Sequence, residues 1–82
     1  MVNFLRAYVL VNTKPGTSEK VVKELRVKKK VKGILMADSV YGQYDAVVVM
    51  EVKDLKELMK TVYEVIEKNP NIVKTETLIS LF

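Results

Sequence analysis

Gly42-Gln43-Tyr44-Asp45 is the segment best equipped for chemistry. A glycine that brings the backbone close to another group stands next to a ring with a hydroxyl and a carboxylate. A plain hairpin needs only small turn residues. Here the tip also offers a hydrogen-bonding ring and an acid, as a small polar ligand would require. The competing reading is that Tyr44 and Asp45 cap a hairpin, since glycine and aspartate are ordinary turn formers. The segment by itself leaves both readings open.

Residue supply narrows the chemistry further. The chain has 82 residues, no cysteine and no histidine. Thiolate metal sites, disulfides, Ser-His-Asp catalysis and Cys-His catalysis are all excluded by composition. No metal or cofactor is expected. The formal charge is +4, with 14 basic and 10 acidic side chains interleaved through most of the chain. The exception is the run Arg26, Lys28, Lys29, Lys30 and Lys32. It reads better as a solvated helix end, where cations complement the macrodipole, than as a nucleic-acid patch, because no aromatic residues accompany it. No stretch approaches the roughly 20 apolar residues of a membrane span, and the first residues lack the order of a secretion signal. A cytoplasmic protein without a membrane partner is expected.

The elements that must position the loop follow from periodicity. Leu5 to Val11 reads as a strand rich in β-branched and aromatic residues. Thr13-Lys14-Pro15-Gly16-Thr17 is a turn, after which Thr17 or Ser18 caps a helix carrying Val21, Val22 and Leu25 on one side. Glu19/Lys23 and Glu24/Lys28 are spaced as i,i+4 pairs. Gly33 breaks the helical pattern. Ile34 to Tyr41 and Ala46 to Val52 are the second and third strands. Asp54 and Glu57 form an acidic capping box for a second helix, whose apolar stripe is Leu55, Leu58, Met59, Val62, Val65 and Ile66. Asn69-Pro70-Asn71 stops it, and Ile72 to Leu81 is the last strand.

The order is βαββαβ, an α+β ferredoxin-like arrangement with a four-stranded antiparallel sheet and two helices on one face. The whole chain, 1–82, is expected to form one domain. Two helices cover one face only, yet the strands are apolar on both. Ala7, Val9 and Val11 alternate with Tyr8 and Leu10, and Val47 and Val49 alternate with Ala46, Val48, Met50 and Val52. The second face therefore calls for another subunit, and a homodimer through the sheets is expected.

Three pieces in this order resemble the effector-binding domain of the Lrp/AsnC, or feast/famine, family of transcription regulators. They are Ala7-Tyr8-Val9-Leu10-Val11, Gly42-Gln43-Tyr44-Asp45 and Thr75-Glu76-Thr77-Leu78-Ile79, within a likeness running from Arg6 to Leu81. The resemblance implies a dimer through the sheets assembled further into rings such as octamers. It also implies an amino-acid site between dimers. Carried over, Gly42, Tyr44 and Asp45 are the binding candidates, with Thr75 and Thr77 secondary; ordinary strand filling is the alternative for the threonines. Where the family often has glycine before the last strand, this chain has Asn71, which tolerates a left-handed turn. The family's N-terminal helix-turn-helix has no counterpart ahead of the first strand, so no sequence-specific DNA binding is expected. The leading expectation is a non-enzymatic, stand-alone amino-acid-sensing domain that modulates full-length Lrp/AsnC homologues. A cofactor-free ferredoxin-like enzyme using Asp45 or Glu76 with a tyrosine is the alternative. An RNA-binding module ranks last, because Ala46 to Val52 offers no aromatic for base stacking.

Overall fold

The structure is a computed structural model that describes residues 4–28 and 33–81. Four strands, β1 (Leu5–Thr13), β2 (Ile34–Ser39), β3 (Ala46–Val52) and β4 (Ile72–Ile79), alternate with helices α1 (Ser18–Val27) and α2 (Leu55–Thr61) in the order βαββαβ. The strands form one antiparallel sheet in the spatial order β2-β3-β1-β4, the ferredoxin-like arrangement. β1 therefore has neighbours on both sides, while β2 and β4 are edges.

Alternation decides the faces. Ala7, Val9 and Val11 of β1 and Ala46, Val48, Met50 and Val52 of β3 are buried and pack with Val21, Val22 and Leu25 of α1 and with Leu58, Val62, Val65 and Ile66. Each large aliphatic side chain taken fully out of water here contributes about 1.5–3 kcal/mol. The other face carries Tyr8, Leu10, Val47 and Val49, all half-buried, with Met36 and Leu78 exposed at 51% and 46%. One end of this face is closed by the cross-strand pair Arg6–Glu51, 2.6 Å apart. The expected two-sided apolarity is thus present in the structure.

The elements differ from expectation in instructive places. β1 runs to Thr13, β2 stops at Ser39 and β4 stops at Ile79. Thr17 occupies the N-cap position of α1, but its hydroxyl donates to the Lys14 carbonyl at 2.7 Å instead of capping. The Glu19–Lys23 pair forms at 3.0 Å. Glu24 instead accepts from the Asn69 amide at 3.1 Å, which ties α1 to the far loop. Arg26 donates to the Ala37 carbonyl at 2.8 Å and pairs with Asp38 at 3.1 Å. Part of the basic run is therefore spent on fastening α1 to β2; Lys29, Lys30 and Lys32 lie outside the described residues.

Asp54 caps α2, accepting from the Glu57 N–H at 2.8 Å, an interaction worth about 1 kcal/mol. Glu57 returns to the N–H of Lys53, at 3.4 Å, and not to that of Asp54. The second helix does not stay α-helical: Val62–Glu67 continues it as a π-helical turn, with the Lys68 N–H donating to Tyr63 O at 3.2 Å. The expected stripe splits accordingly. Leu58, Val62, Val65 and Ile66 are buried, whereas Leu55 and Met59 are 51% and 64% exposed. Asn71 needs no left-handed backbone, because among the described residues only glycines have positive φ. Asn69 makes the turn, its side chain accepting from the Asn71 N–H at 2.9 Å.

Gly33 and Gly16 both have φ near +78°, at +77° and +79°, but only Gly33 is crowded: a Cβ there would lie 2.8 Å from the Glu51 carbonyl oxygen. Gly16→Ala should cost roughly 1 kcal/mol for its left-handed backbone alone. Gly33→Ala should cost about 2–4 kcal/mol, strain plus overpacking. Urea denaturation of the two variants tests the ranking, and equal midpoints would refute the close approach.

Candidate functional site

The loop joining β2 to β3, residues 40–45, is anchored at its base and open at its tip. The Val40 N–H donates to the Asp45 carbonyl at 2.9 Å, and the Asp45 N–H donates to the Val11 carbonyl at 2.9 Å. Past the last β1–β3 pair, Val11 with Ala46, no β3 residue faces Thr13. The Asp45 carboxylate takes that place: Oδ2 accepts from the Thr13 N–H at 2.8 Å and from its hydroxyl at 3.5 Å. Asp45 is therefore a structural cap for the end of β1. Oδ1 of the same carboxylate has no partner among the described residues.

Tyr44 clamps the loop from the other direction. Its hydroxyl donates to the Glu76 carboxylate of β4, which stands opposite Leu10 in the register. The phenol thus reaches past β1 to the far strand. Glu76 holds the Tyr44 proton and raises its pKa above the usual tyrosine range, the hydrogen bond being the largest cause. Between these clamps Tyr41, Gly42 and Gln43 are exposed. The N–H groups of Gly42 and Gln43 have no acceptor among the described residues. At Gly42 the space that a side chain would occupy is empty.

Thr75 and Thr77 are placed elsewhere. They pair with Val11 and Val9, whose side chains are in the core, so they stand on the helix side of β4. Glu76, which Tyr44 reaches, stands on the opposite side. The Thr75 hydroxyl bonds to Glu67 Oε2 at 3.3 Å. Thr77 lines a groove between β4 and the second helix, together with Leu55, Leu58, Met59, Val62, Tyr63, Glu67 and Ile79. In one chain the five expected binding residues therefore form two groups: Gly42, Tyr44 and Asp45 at the loop, and Thr75 and Thr77 on the helix side of β4, where Thr77 lines the groove.

Two residues escaped the sequence reading altogether. Thr13 passed for a turn residue, although it anchors the loop. Glu67, which the sequence reading passed over, lines one end of the groove. Its position carried a signal, since a carboxylate in the last helical turn opposes the macrodipole and needs another reason to be there. Among the described residues no group of three or more acids assembles a metal site, and no helix is long and apolar enough to cross a membrane.

A family model described as the Lrp/AsnC ligand binding domain matches residues 6–81. No curated protein matches the chain. Among solved structures, a hypothetical protein of Pyrococcus horikoshii is 32% identical, with 95% of this chain and 90% of that one covered and a TM-score of 0.84. Escherichia coli AsnC is 18% identical with a TM-score of 0.83, 95% of this chain matching 51% of that one. A Neisseria meningitidis transcriptional regulator, solved as its L-Met complex, is 11% identical with a TM-score of 0.76, covering 95% of this chain and 50% of that one.

The clamp makes two testable statements. Glu76→Gln should bring the Tyr44 titration down toward the ordinary value near 10, as followed by tyrosinate absorbance. A raised folded pKa contributes stability below the unfolded phenol's pKa, and that contribution fades as pH rises through the folded one. An unchanged titration in Glu76→Gln would remove the clamp. Asp45→Ala should lower stability by about 1–3 kcal/mol, because it strands the Thr13 N–H. Asp45→Asn, which keeps an acceptor, should lower it less. Equal losses in chemical denaturation would contradict the cap.

Proposed function

The chain belongs to the Lrp/AsnC ligand-binding-domain family, and from that membership we propose that it is an oligomerising, amino-acid-sensing regulatory domain. In this reading it modulates full-length regulators of the same family by assembling with them, and contacts to DNA come from those partners. The family is one of transcription regulators, and the loop chemistry points away from catalysis. Glu76 holds the Tyr44 phenol protonated, the wrong direction for a base working near neutrality.

The observation that carries the reading is a loop held rigid at both ends with unused polar groups at its tip. The Gly42 and Gln43 N–H groups can donate to an α-carboxylate, and Oδ1 of Asp45 can accept from an α-ammonium while Oδ2 keeps Thr13. Bonds of this charge-assisted kind are among the stronger ones. Preorganisation adds to them, since the loop loses little freedom on binding. Thr75 and Thr77 lie on the other side of β4, so a site that uses all five residues takes its loop from one subunit and its threonines from another. The half-buried aliphatic face of β1 and β3 supplies the contact for a sheet-to-sheet dimer, and rings of dimers bring loop and groove together. Such a face resembles a core cut in half more than a solvated surface. The L-Met complex of the Neisseria meningitidis regulator supports an amino acid as the ligand class.

Calorimetric titration of the twenty amino acids tests the sensing function. One or more should bind, and Asp45→Asn should weaken binding by roughly 1.5–3 kcal/mol, the worth of a hydrogen bond to a charged group. If none binds wild type at millimolar concentration, sensing is wrong; if Asp45→Asn binds as tightly, the ammonium site is misplaced. Light scattering at micromolar concentration should give a dimer or larger, and a folded monomer across that range would remove the shared site.

A further inference from the structure

The two edges of the sheet differ in how they meet solvent. On β2 the Val40 N–H donates to the Asp45 carbonyl, and antiparallel alternation then turns the backbone groups of Ala37 away from β3. Arg26 of α1 takes that outward carbonyl at 2.8 Å, and the register slips between Ile34 and Met36. A bulge and a charged side chain laid on the edge both discourage another strand from pairing there. From Lys74 to Ile79, β4 has neither; its one irregularity, opposite Asn12 and Thr13, lies before Lys74. The Ser80 N–H donates to the Arg6 carbonyl at 2.9 Å. By the same alternation the even-numbered residues of β4 bond to β1, and the odd-numbered ones turn their backbone groups outward. The N–H and C=O of Thr75, Thr77 and Ile79 have no partner among the described residues. Such a row is a template for another strand.

Charge selects the strand that fits. Lys74 and Glu76 stand exposed on the open side of the sheet. Lys74 makes no ion pair among the described residues. Glu76 gives Oε1 to Tyr44, and its Oε2 has no partner among those residues. A second β4 laid antiparallel must bring odd residues opposite odd ones, so that the outward backbone groups meet. Centred on Lys74 or on Glu76, that pairing sets like charges face to face. Centred on Thr77, it sets Glu76 against an apolar leucine. Centred on Thr75, it sets Lys74 opposite the partner's Glu76, twice. These are the positions without backbone bonds, where facing side chains lie closest and opposite charges stabilise the pair.

We propose that the free edge of β4 is a self-association surface, pairing antiparallel with β4 of a second copy about a two-fold axis at Thr75. The Thr75 N–H donates to the carbonyl of the partner's Thr75 and the reverse, and Lys74 and Glu76 form two ion pairs across the axis. The two sheets become one continuous sheet with all helices on the same side. The straight run is short, so one such contact is weak. It leaves the β1–β3 face free, so a face-to-face dimer carries two of these edges, and their contacts reinforce one another in a larger assembly. That extension rests on the dimer proposed above; the edge pairing itself depends neither on it nor on amino-acid binding.

The chain has no cysteine, so a single introduced thiol reports the register. Thr75→Cys places two thiols across the axis with their Cα atoms about 5.5 Å apart, inside the range of a disulfide. Mild oxidation should give a covalent dimer on a denaturing gel. Thr77→Cys lies about 13 Å from its own copy in this register and should stay single. Both positions turn their backbone outward, so neither change touches the β1–β4 ladder. Adding Lys74→Glu to Thr75→Cys sets carboxylates opposite carboxylates and should slow the cross-link roughly tenfold. An unlinked Thr75→Cys overturns the proposal, as do equal linking of Thr77→Cys and indifference to Lys74→Glu. Cross-linking of Thr75→Cys in a protein whose wild type binds no amino acid would support the edge and remove the sensing reading alone. Amino-acid binding by wild type without the cross-link would remove the edge alone.

Discussion

Two helices can shield one face of a four-stranded sheet, and this chain makes both faces of its central strands apolar. The covered face is built for close approach: Ala7, Ala37 and Ala46 keep the strands low beneath the helices, and valines fill the spaces between. The uncovered face is only partly protected, with Tyr8, Leu10, Val47 and Val49 half-buried by their own neighbours. Polar groups stay at its margins, Arg6 with Glu51 at one end and Tyr44 with Glu76 at the other. That margin is where the loop stands, so the constraint that leaves a face open also sets the loop at its edge.

Asp45 shows how a scaffold residue can keep an atom free for the proposed site. The central strand outruns its neighbour by two residues, and a backbone donor at that point needs an acceptor. A carboxylate satisfies it with one oxygen and leaves the second free. An asparagine there would satisfy the strand as well but would lose the charge. The turn reading and the binding reading of this residue are thus not rivals, because they use different oxygens.

The strands and the βαββαβ order were legible because alternation and β-branching repeat over many residues and agree with the turn chemistry between them. Ala46–Val52 emerges with the expected bounds. What stayed hidden depends on single contacts. Whether the Thr17 hydroxyl caps its helix or turns back to Lys14 is a choice of rotamer, not of residue type. Leu55 and Met59 fit a helical stripe by spacing, yet both stay largely exposed on the wall of the open groove beside β4. The separation of Thr75 and Thr77 from the loop follows from pleat parity across three paired strands, and no local pattern records that.

The π-helical turn at Val62–Glu67 sets the angular phase of everything after it. An α-helix advances one turn in 3.6 residues, and a π turn takes more residues for the same rotation. Each residue within it therefore lags the direction it would take in an unbroken α-helix. Tyr63 and Glu67 point as they do because this lag accumulates between them and the buried Leu58. Removing one residue from the turn would restore α geometry and swing Glu67 around the axis, away from the strand it now faces. The direction of that carboxylate is thus encoded in a count of residues as much as in their identity.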